Sequence, residues 1–469
     1  MNDKLLEEVR AASLLLETVA ADRGLLEHLP DDDRERLHQA IAQVYNPDPV
    51  TRRRQQKDRL AARDRQVTAA LDETGIRSLR RKPVFTTPNV FPPDEREHTE
   101  TQEPQHCYVC KRKYSLVHSF YDQMCPDCAE FNFAKRMQSA NLEGRVALLT
   151  GGRVKIGFQA GLKLLRAGAQ LIVTTRFPRD SARRYAEEPD FDAWAHRLEI
   201  FGLDLRHTPS VEQFCRVLLQ TRPRLDFIVN NACQTVRRPP EFYQHMMEGE
   251  RAAKLTGIAP ARAHDASELA DSAELSQLAL LPEELLAQAH LFPKDRLDKD
   301  QQQVDLRGRN SWRLLLDEVS SVELIEVQLI NAIAPFILNA RLKPLMLRTP
   351  ERDKHIVNVS AVEGQFYRKW KTTRHPHTNM AKAALNMMTR TSATDYHADG
   401  IHMNAVDTGW VTDEDPVEIA ERKIVEQQFH PPLDIVDGAA RILDPIFDGL
   451  NTGEPVWGKF LKDYKPAHW

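Results

Sequence analysis

The stretch GRVALLTGGRVKIGFQAGLKLLRAGAQLIVTTRFP, residues 144–178, limits the fold more than any other part of the chain. Val146 to Leu149 form a continuous apolar run, which reads as a strand buried on both faces. A turn containing Gly151 and Gly152 follows, then apolar residues at helical spacing from about Gly157, then a second apolar run from Leu171 to Thr174. Strand, turn, helix and strand in that order make a parallel pair with a crossover helix. Backbone N–H groups at such a turn and helix start point at one spot and can cradle a pyrophosphate. From Leu142 onward short apolar runs keep alternating with helical periodicity, which predicts a parallel sheet covered by helices on both faces. Residues 240–310 interrupt that alternation with stretches such as ARAHDASELADSAELSQ. They read as an insertion, part helical and part mobile.

The rest of the 469 residues must hold one or two further units. A formal net charge of -4 argues against a dedicated nucleic-acid or membrane binder. No stretch reads as a transmembrane helix, and the acidic, amphipathic start MNDKLLEEVR lacks the order of a signal peptide. The expected location is therefore cytoplasmic. Residues 1–83 are expected to be helical, with Leu5, Val9, Ala12, Leu15 and Leu16 at helical spacing and Asp31 to Asp33 opening a second helix. Between Thr51 and Pro83 eleven Lys/Arg face four Asp/Glu, the composition of a solvated basic helix. No interleaved aromatics turn it into a base-stacking surface. Residues 84–105 are Pro-rich and polar and read as a linker.

Residues 106–135 contain CYVCKRKYSLVHSFYDQMCPDC, with Cys107 and Cys110 in one C-x-x-C pair and Cys125 and Cys128 in another. Four thiolates on two knuckles complete a closed tetrahedron, the donor set of structural zinc. With four sulfurs in place, His118 is not needed as a ligand and no coordination site stays open for catalysis. The module either braces the fold or offers a surface to a protein partner. Cys215, on an apolar helical face, reads as a core residue.

Several motifs from Leu142 onward, in order, resemble the short-chain dehydrogenase/reductase family. Thr150, Gly151 and Gly157 match its T-G-x-x-x-G-x-G turn, with Lys155 where the middle glycine is expected. Asp204 and Leu205 resemble the pair that holds the adenine, and Asn230, Asn231 and Ala232 resemble N-N-A-G, with Cys233 replacing the glycine. Asn331 resembles the active-site asparagine. Val406 to Thr412 resembles P-G-x-x-x-T, with Thr408 in place of proline and Gly409 and Thr412 retained. The resemblance covers about residues 142–465. It implies an α/β fold, a doubly wound Rossmann parallel sheet over residues 142–469, preceded by the helical region and the small four-cysteine zinc module. It implies NADP or NAD as cofactor, a small-molecule substrate and a homo-oligomer paired through the helices that carry Asn331 and Lys382. Cofactor contacts carried over are Gly151, Arg153, Lys155, Ile156, Gly157, Arg176, Asp204, Leu205, Asn231, Ala232, Lys382, Gly409 and Thr412. A basic residue past the second strand accommodates a 2′-phosphate, so Arg176, with Arg153 and Arg179 nearby, favours NADP over NAD.

The family's proton chemistry uses a tyrosine, a lysine four residues later and a serine. Lys382 is present, but Thr378 stands four residues before it, and a threonine hydroxyl is too weakly acidic to replace a phenol. Ser360 aligns with the first serine of the usual pair, and Ala361 takes the second, catalytic position. Asn331, Lys382, Thr378 and Ser360 are the catalytic candidates, with Tyr367, Tyr396, His375 and His377 as nearby alternatives. Two readings stay open: an oxidoreductase with a non-standard proton donor, or a catalytically inactive dinucleotide-binding regulator acting through the zinc module and the insertion. A third, nucleic-acid binding through residues 51–135, has global acidity against it.

Overall fold

The structure is a computed structural model that describes residues 3–45, 53, 57, 67–69, 71–81, 99–256, 263–264, 271–285, 289–294, 296–298, 300–367, 371–412, 414–427 and 430–469. The chain divides into two compact units, Met1–Ala70 and Leu71–Trp469. The first holds the helices Asp3–Ala21 and Asp31–Tyr45, with Asp31 to Asp33 in the first turn of the second helix. Most of the basic run 51–83, and residues 84–98 of the expected linker, lie outside the described residues.

Two expected boundaries move. The helix Gly75–Arg81 belongs to the second unit, because Ile76 and Leu79 are buried there and the Gly75 and Ile76 amides donate to the Ser119 and Phe120 carbonyls. Residues 99–105 are not linker. Thr99–His106 is strand β1, antiparallel to β2 (Lys113–Val117). The Thr101 hydroxyl bonds the Ser115 carbonyl, which ties this polar segment to the cysteine module despite its linker-like composition.

The large unit is a Rossmann sheet. Its strands are β3 (Val146–Thr150), β4 (Gln170–Thr175), β5 (Leu198–Gly202), β6 (Phe227–Asn230), β7 (Ala263–His264), β8 (Lys354–Ser360), β9 (Ile401–Asp407), β10 (Phe460–Lys462) and β11 (Lys465–Ala467). They lie in the order β11-β10-β9-β8-β6-β3-β4-β5-β7. All neighbours are parallel except β10 and β11. The strand order reverses at β3, which places a crevice beyond the carboxyl ends of β3 and β6. On one face the helices Lys155–Arg166 and Ile435–Thr452 bury Leu162, Leu165, Ala439 and Ile442. On the other lie Thr208–Thr221 and Ala334–Met346, with Phe214, Cys215, Leu338 and Leu342 in the core. Burial pushes the Cys215 thiol up to about 12, as suits an inert core residue.

The insertion adds the edge strand β7 beside β5 and the helix Gln244–Thr256. Its Phe242, Tyr243, Met246, Met247 and Phe292 cluster with Phe177, just past β4. One expectation about length fails. The continuous helical stretch Ser321–Met346, with a mean hydropathy of 1.5 in its best window, is long and apolar enough to cross a membrane by length and composition alone. In the fold it packs Leu338, Leu342, Leu345 and Met346 into the core against the sheet.

Candidate active site

One cavity of about 1420 Å³ opens at the carboxyl ends of the strands. It exceeds the roughly 300–1,000 Å³ of a pocket for one small ligand. Of the residues carried over from the family, it is lined by Gly151, Arg153, Lys155, Ile156, Gly157, Arg176, Asp204, Leu205, Asn231, Ala232, Ser360, Lys382, Gly409 and Thr412. Asn331 and Thr378 do not line it.

Space dictates the glycine turn. Gly151 has φ +69, and a Cβ there would stand 2.9 Å from the Ala232 Cα. At Gly157 a Cβ would lie 2.1 Å from the Gly151 carbonyl oxygen and 2.5 Å from the Asn231 Nδ2. No side chain fits, so the helix start closes directly on the turn. The Asn231 amide donates to the carbonyls of Thr150 (3.1 Å) and Gly151 (3.2 Å), and the Thr150 hydroxyl accepts from the Ala232 N–H at 3.0 Å. These bonds fix the end of β6 against the turn after β3. Lys155 opens the helix with φ 54. That left-handed conformation explains the family's preference for glycine here, and it costs a non-glycine residue about 1 kcal/mol. Burial presses the Lys155 pKa down, but Glu414, Asp300 and Asp298 outweigh it and leave the group raised and charged. Glu414 is itself held by the hydroxyls of Thr412 at 2.7 Å and Thr235 at 3.3 Å.

Past β4 the two arginines have different surroundings. Arg153 is spent on structure, donating to Asp180 at 2.7 Å and Gln302 at 3.0 Å. Arg176 donates to the Tyr243 hydroxyl at 2.9 Å and lies over the Tyr243 ring, 4.7 Å from its centroid. It makes no ion pair among the described residues. Asp204 is chelated by its neighbour Arg206, whose Nη2 donates at 2.7 Å. Burial opposes ionisation of Asp204, yet the Arg206 bonds win and hold its pKa low. Arg179 sits 3.7 Å from Glu250.

The other end of the cavity is built differently. Asn331 lies in a π-helical turn, Leu329–Ile333. Its side chain exchanges two bonds with the Gln234 main chain, at 2.8 and 3.1 Å, and so clamps the loop after β6. The Lys382 ammonium donates to the Val359 carbonyl at 2.7 Å. The Ser360 hydroxyl donates to the Asn386 Oδ1 at 2.6 Å. Thr378 is buried, its hydroxyl unpaired among the described residues and outside the cavity lining, so it is not brought to the site. The alternative donors fare no better. His375 stacks on Trp312 and burial lowers its pKa to about 4, Tyr396 donates to the Asn339 carbonyl, and Tyr367 is 92% exposed. His377 is buried beside Glu323.

Three lining residues carried no signal of this role in the sequence. Tyr108, between Cys107 and Cys110, reaches the cavity, where its hydroxyl accepts from the Trp410 N–H at 3.0 Å. Lys111 lines it too. Asp407, at the end of β9, sits inside the VDTG segment already noted, but nothing in that motif shows its burial.

The four sulfurs of Cys107, Cys110, Cys125 and Cys128 lie within 4.8 Å of one another, with 3.7 Å between those of Cys110 and Cys125. A tetrahedral zinc with bonds of about 2.3 Å would need edges of about 3.8 Å, so the donors fit. His118 is occupied elsewhere: its Nδ1 accepts from the Phe120 and Tyr121 amides and its Nε2 faces Glu130. The module is pinned to the Ile435–Thr452 helix by Arg136 on Asp434 and Asp437, and by Lys135 on Asp444 and Asp448.

Two family profiles match the chain: "short chain dehydrogenase" over residues 145–251 and "Enoyl-(Acyl carrier protein) reductase" over residues 315–431. An uncharacterised protein of Acanthamoeba polyphaga mimivirus is 31% identical over 376 residues, spanning 77% of this chain and 74% of its own. The chain belongs to the short-chain dehydrogenase/reductase superfamily. That superfamily is one of oxidoreductases. Dehydrogenase/reductase SDR family member 13 of Bos taurus is 32% identical over 108 residues, 21% of this chain and 27% of its own length. Retinol dehydrogenase 14 of Mus musculus is 35% identical over 105 residues, 19% and 30%. The chain thus spans less than a third of these two relatives. Among solved structures, a short chain dehydrogenase from Burkholderia cenocepacia in complex with NADP is 17% identical, with 68% of this chain and 96% of that one covered and a TM-score of 0.44.

Proposed function

We propose that the protein is an NADP(H)-dependent oxidoreductase that interconverts a small carbonyl compound and its alcohol. The observation that carries this reading is the single cavity that joins the Gly151–Gly157 cradle and Arg176 to Lys382 and Ser360. The cradle is closed to any side chain and open to a phosphate. Arg176, held over the Tyr243 ring and in no ion pair among the described residues, supports a 2′-phosphate and hence NADP over NAD. Lys155 brings a cation to the diphosphate position. When bound, the reduced dinucleotide supplies the hydride. Lys382 would hold its nicotinamide ribose, and Thr412 and Gly409 would flank the ring. Asn331 keeps the wall in place through Gln234. Steady NADPH oxidation with a panel of benzaldehyde, diacetyl and phenanthrenequinone tests the reading. Absence of any absorbance change counts against it.

A second reading is a dinucleotide-binding regulator without turnover. Ala361 and the displaced Thr378 favour it. Turnover that disappears in Lys382→Ala would exclude it.

The cysteine cluster would hold one structural zinc, and Tyr108 and Lys111 make the module part of the cavity wall. Metal analysis should return one zinc per chain, and Cys125→Ser should lose it. A homo-oligomer is supported by the apolar side chains exposed on the helices that carry Asn331 and Lys382: Ile325, Ile333, Phe336, Met380 and Met387.

A further inference from the structure

We infer that Asp407 is the proton donor that replaces the missing tyrosine, an assignment that rests on the reductase reading above. Asp407 ends β9 and pairs in register with Ser360, which ends β8. Its Oδ1 accepts from the Val362 N–H at 3.0 Å, so the carboxyl sits beside Ala361, where the family places its serine. Its Oδ2 accepts from the Gly409 N–H at 3.2 Å. It is 4% exposed and lines the cavity.

Those two bonds also set the direction of a proton. Both partners are donors, so an O–H on the carboxyl cannot point at either and has the cavity as its outlet. The neighbouring groups have no such freedom. Ser360 gives its proton to Asn386, and Lys382 donates to a carbonyl.

Burial pushes the Asp407 carboxyl up to about 6. Glu363 and Asp463 push in the same direction; Lys462 and the Val362 amide oppose them. A general acid works best with a pKa near the working pH. In the reductive direction Asp407 gives its proton to the carbonyl oxygen as the carbonyl carbon accepts hydride from the reduced dinucleotide. The products are the alcohol, the oxidised dinucleotide and the Asp407 carboxylate, which regains a proton from water.

The test combines Asp407→Asn and Asp407→Ser, the second with a hydroxyl that can rotate to accept from an amide where the asparagine NH2 would face one. Carbonyl-labelled aspartate NMR of the ligand-free full chain should show two carboxyls titrating near pH 6: that of Asp407, which vanishes in both variants, and that of Asp444, which burial also pushes up to about 6 and which stays. Reduction of the carbonyl panel should fall about 100-fold, and the loss of rate with rising pH should disappear. Glu363→Gln should keep the titrating carboxyl and the fall of rate with pH, both moved to lower pH because Glu363 no longer pushes Asp407 up. A spectrum in which neither Asp407 variant loses a carboxyl titrating near pH 6, an unchanged pH profile there, or a profile abolished by Glu363→Gln overturns the assignment. NADPH fluorescence on the same samples separates the two failures, because a wild-type chain that does not bind NADPH overturns the dinucleotide reading itself.

Discussion

At the phosphate end of the cavity, Gly157 is held to glycine by a carbonyl oxygen 2.1 Å from where its Cβ would be. At the end proposed for proton transfer, Ala361 lines the cavity where the family keeps a serine, Thr378 replaces its tyrosine away from the lining, and Asp407 and Tyr108 line the wall. The first end is constrained by backbone packing, which has very few solutions. The second needs only a polar group of suitable acidity within reach, and several elements can supply one. On the proposed reading, the fold keeps its cofactor turn and changes its proton donor.

Substitutions should widen that contrast. Gly157→Val is expected to have the largest effect: saturable NADPH binding, followed by fluorescence, should be lost, and the melting temperature should fall, because overpacking against backbone costs on the order of 1–3 kcal/mol or more. Lys382→Ala should reduce turnover by about 100-fold with a smaller loss of NADPH affinity, which would show as a change in kcat more than in KM. Arg176→Ala should cost about tenfold in affinity for NADPH and little for NADH, a difference of about 1.4 kcal/mol. Equal losses for the two dinucleotides would place the 2′-phosphate elsewhere.

A separate expected effect is a pH effect beside Arg179. Glu250 accepts from the Arg179 and Asp180 amides at 3.0 and 2.9 Å, yet burial outweighs these bonds and pushes its carboxyl up to about 7. The folded value lies above that of an unfolded chain, about 4.3. The stability this group contributes is therefore full below that value and lost as pH rises through about 7. Glu250→Gln should flatten the fall of melting temperature between pH 5 and 7. The wild-type slope from this group is at most about 1.4 kcal/mol per pH unit. Parallel melting curves for the two proteins would contradict it.

What could be read from the sequence follows the same division. The turn, its helix and the parallel sheet were legible because strand runs and close-packed glycines are local properties of residues 144–178. The spacing of the four cysteines was legible for the same reason. Tyr108 was not, because its role depends on Trp410, which only the fold brings to it. Residues 99–105 misread as linker because their polar composition hides a strand whose partner lies beyond Cys110. Asn331 was placed by motif, while its task of clamping Gln234 depends on a loop about 100 residues away that the sequence does not link to it.

The central claim is that the cavity is an NADP site. Isothermal titration of the full chain with NADPH and with NADH tests it most directly. The account predicts one NADPH bound per chain, with NADH about tenfold weaker and that preference abolished in Arg176→Ala. No saturable heat with either dinucleotide, or tighter binding of NADH, would contradict it.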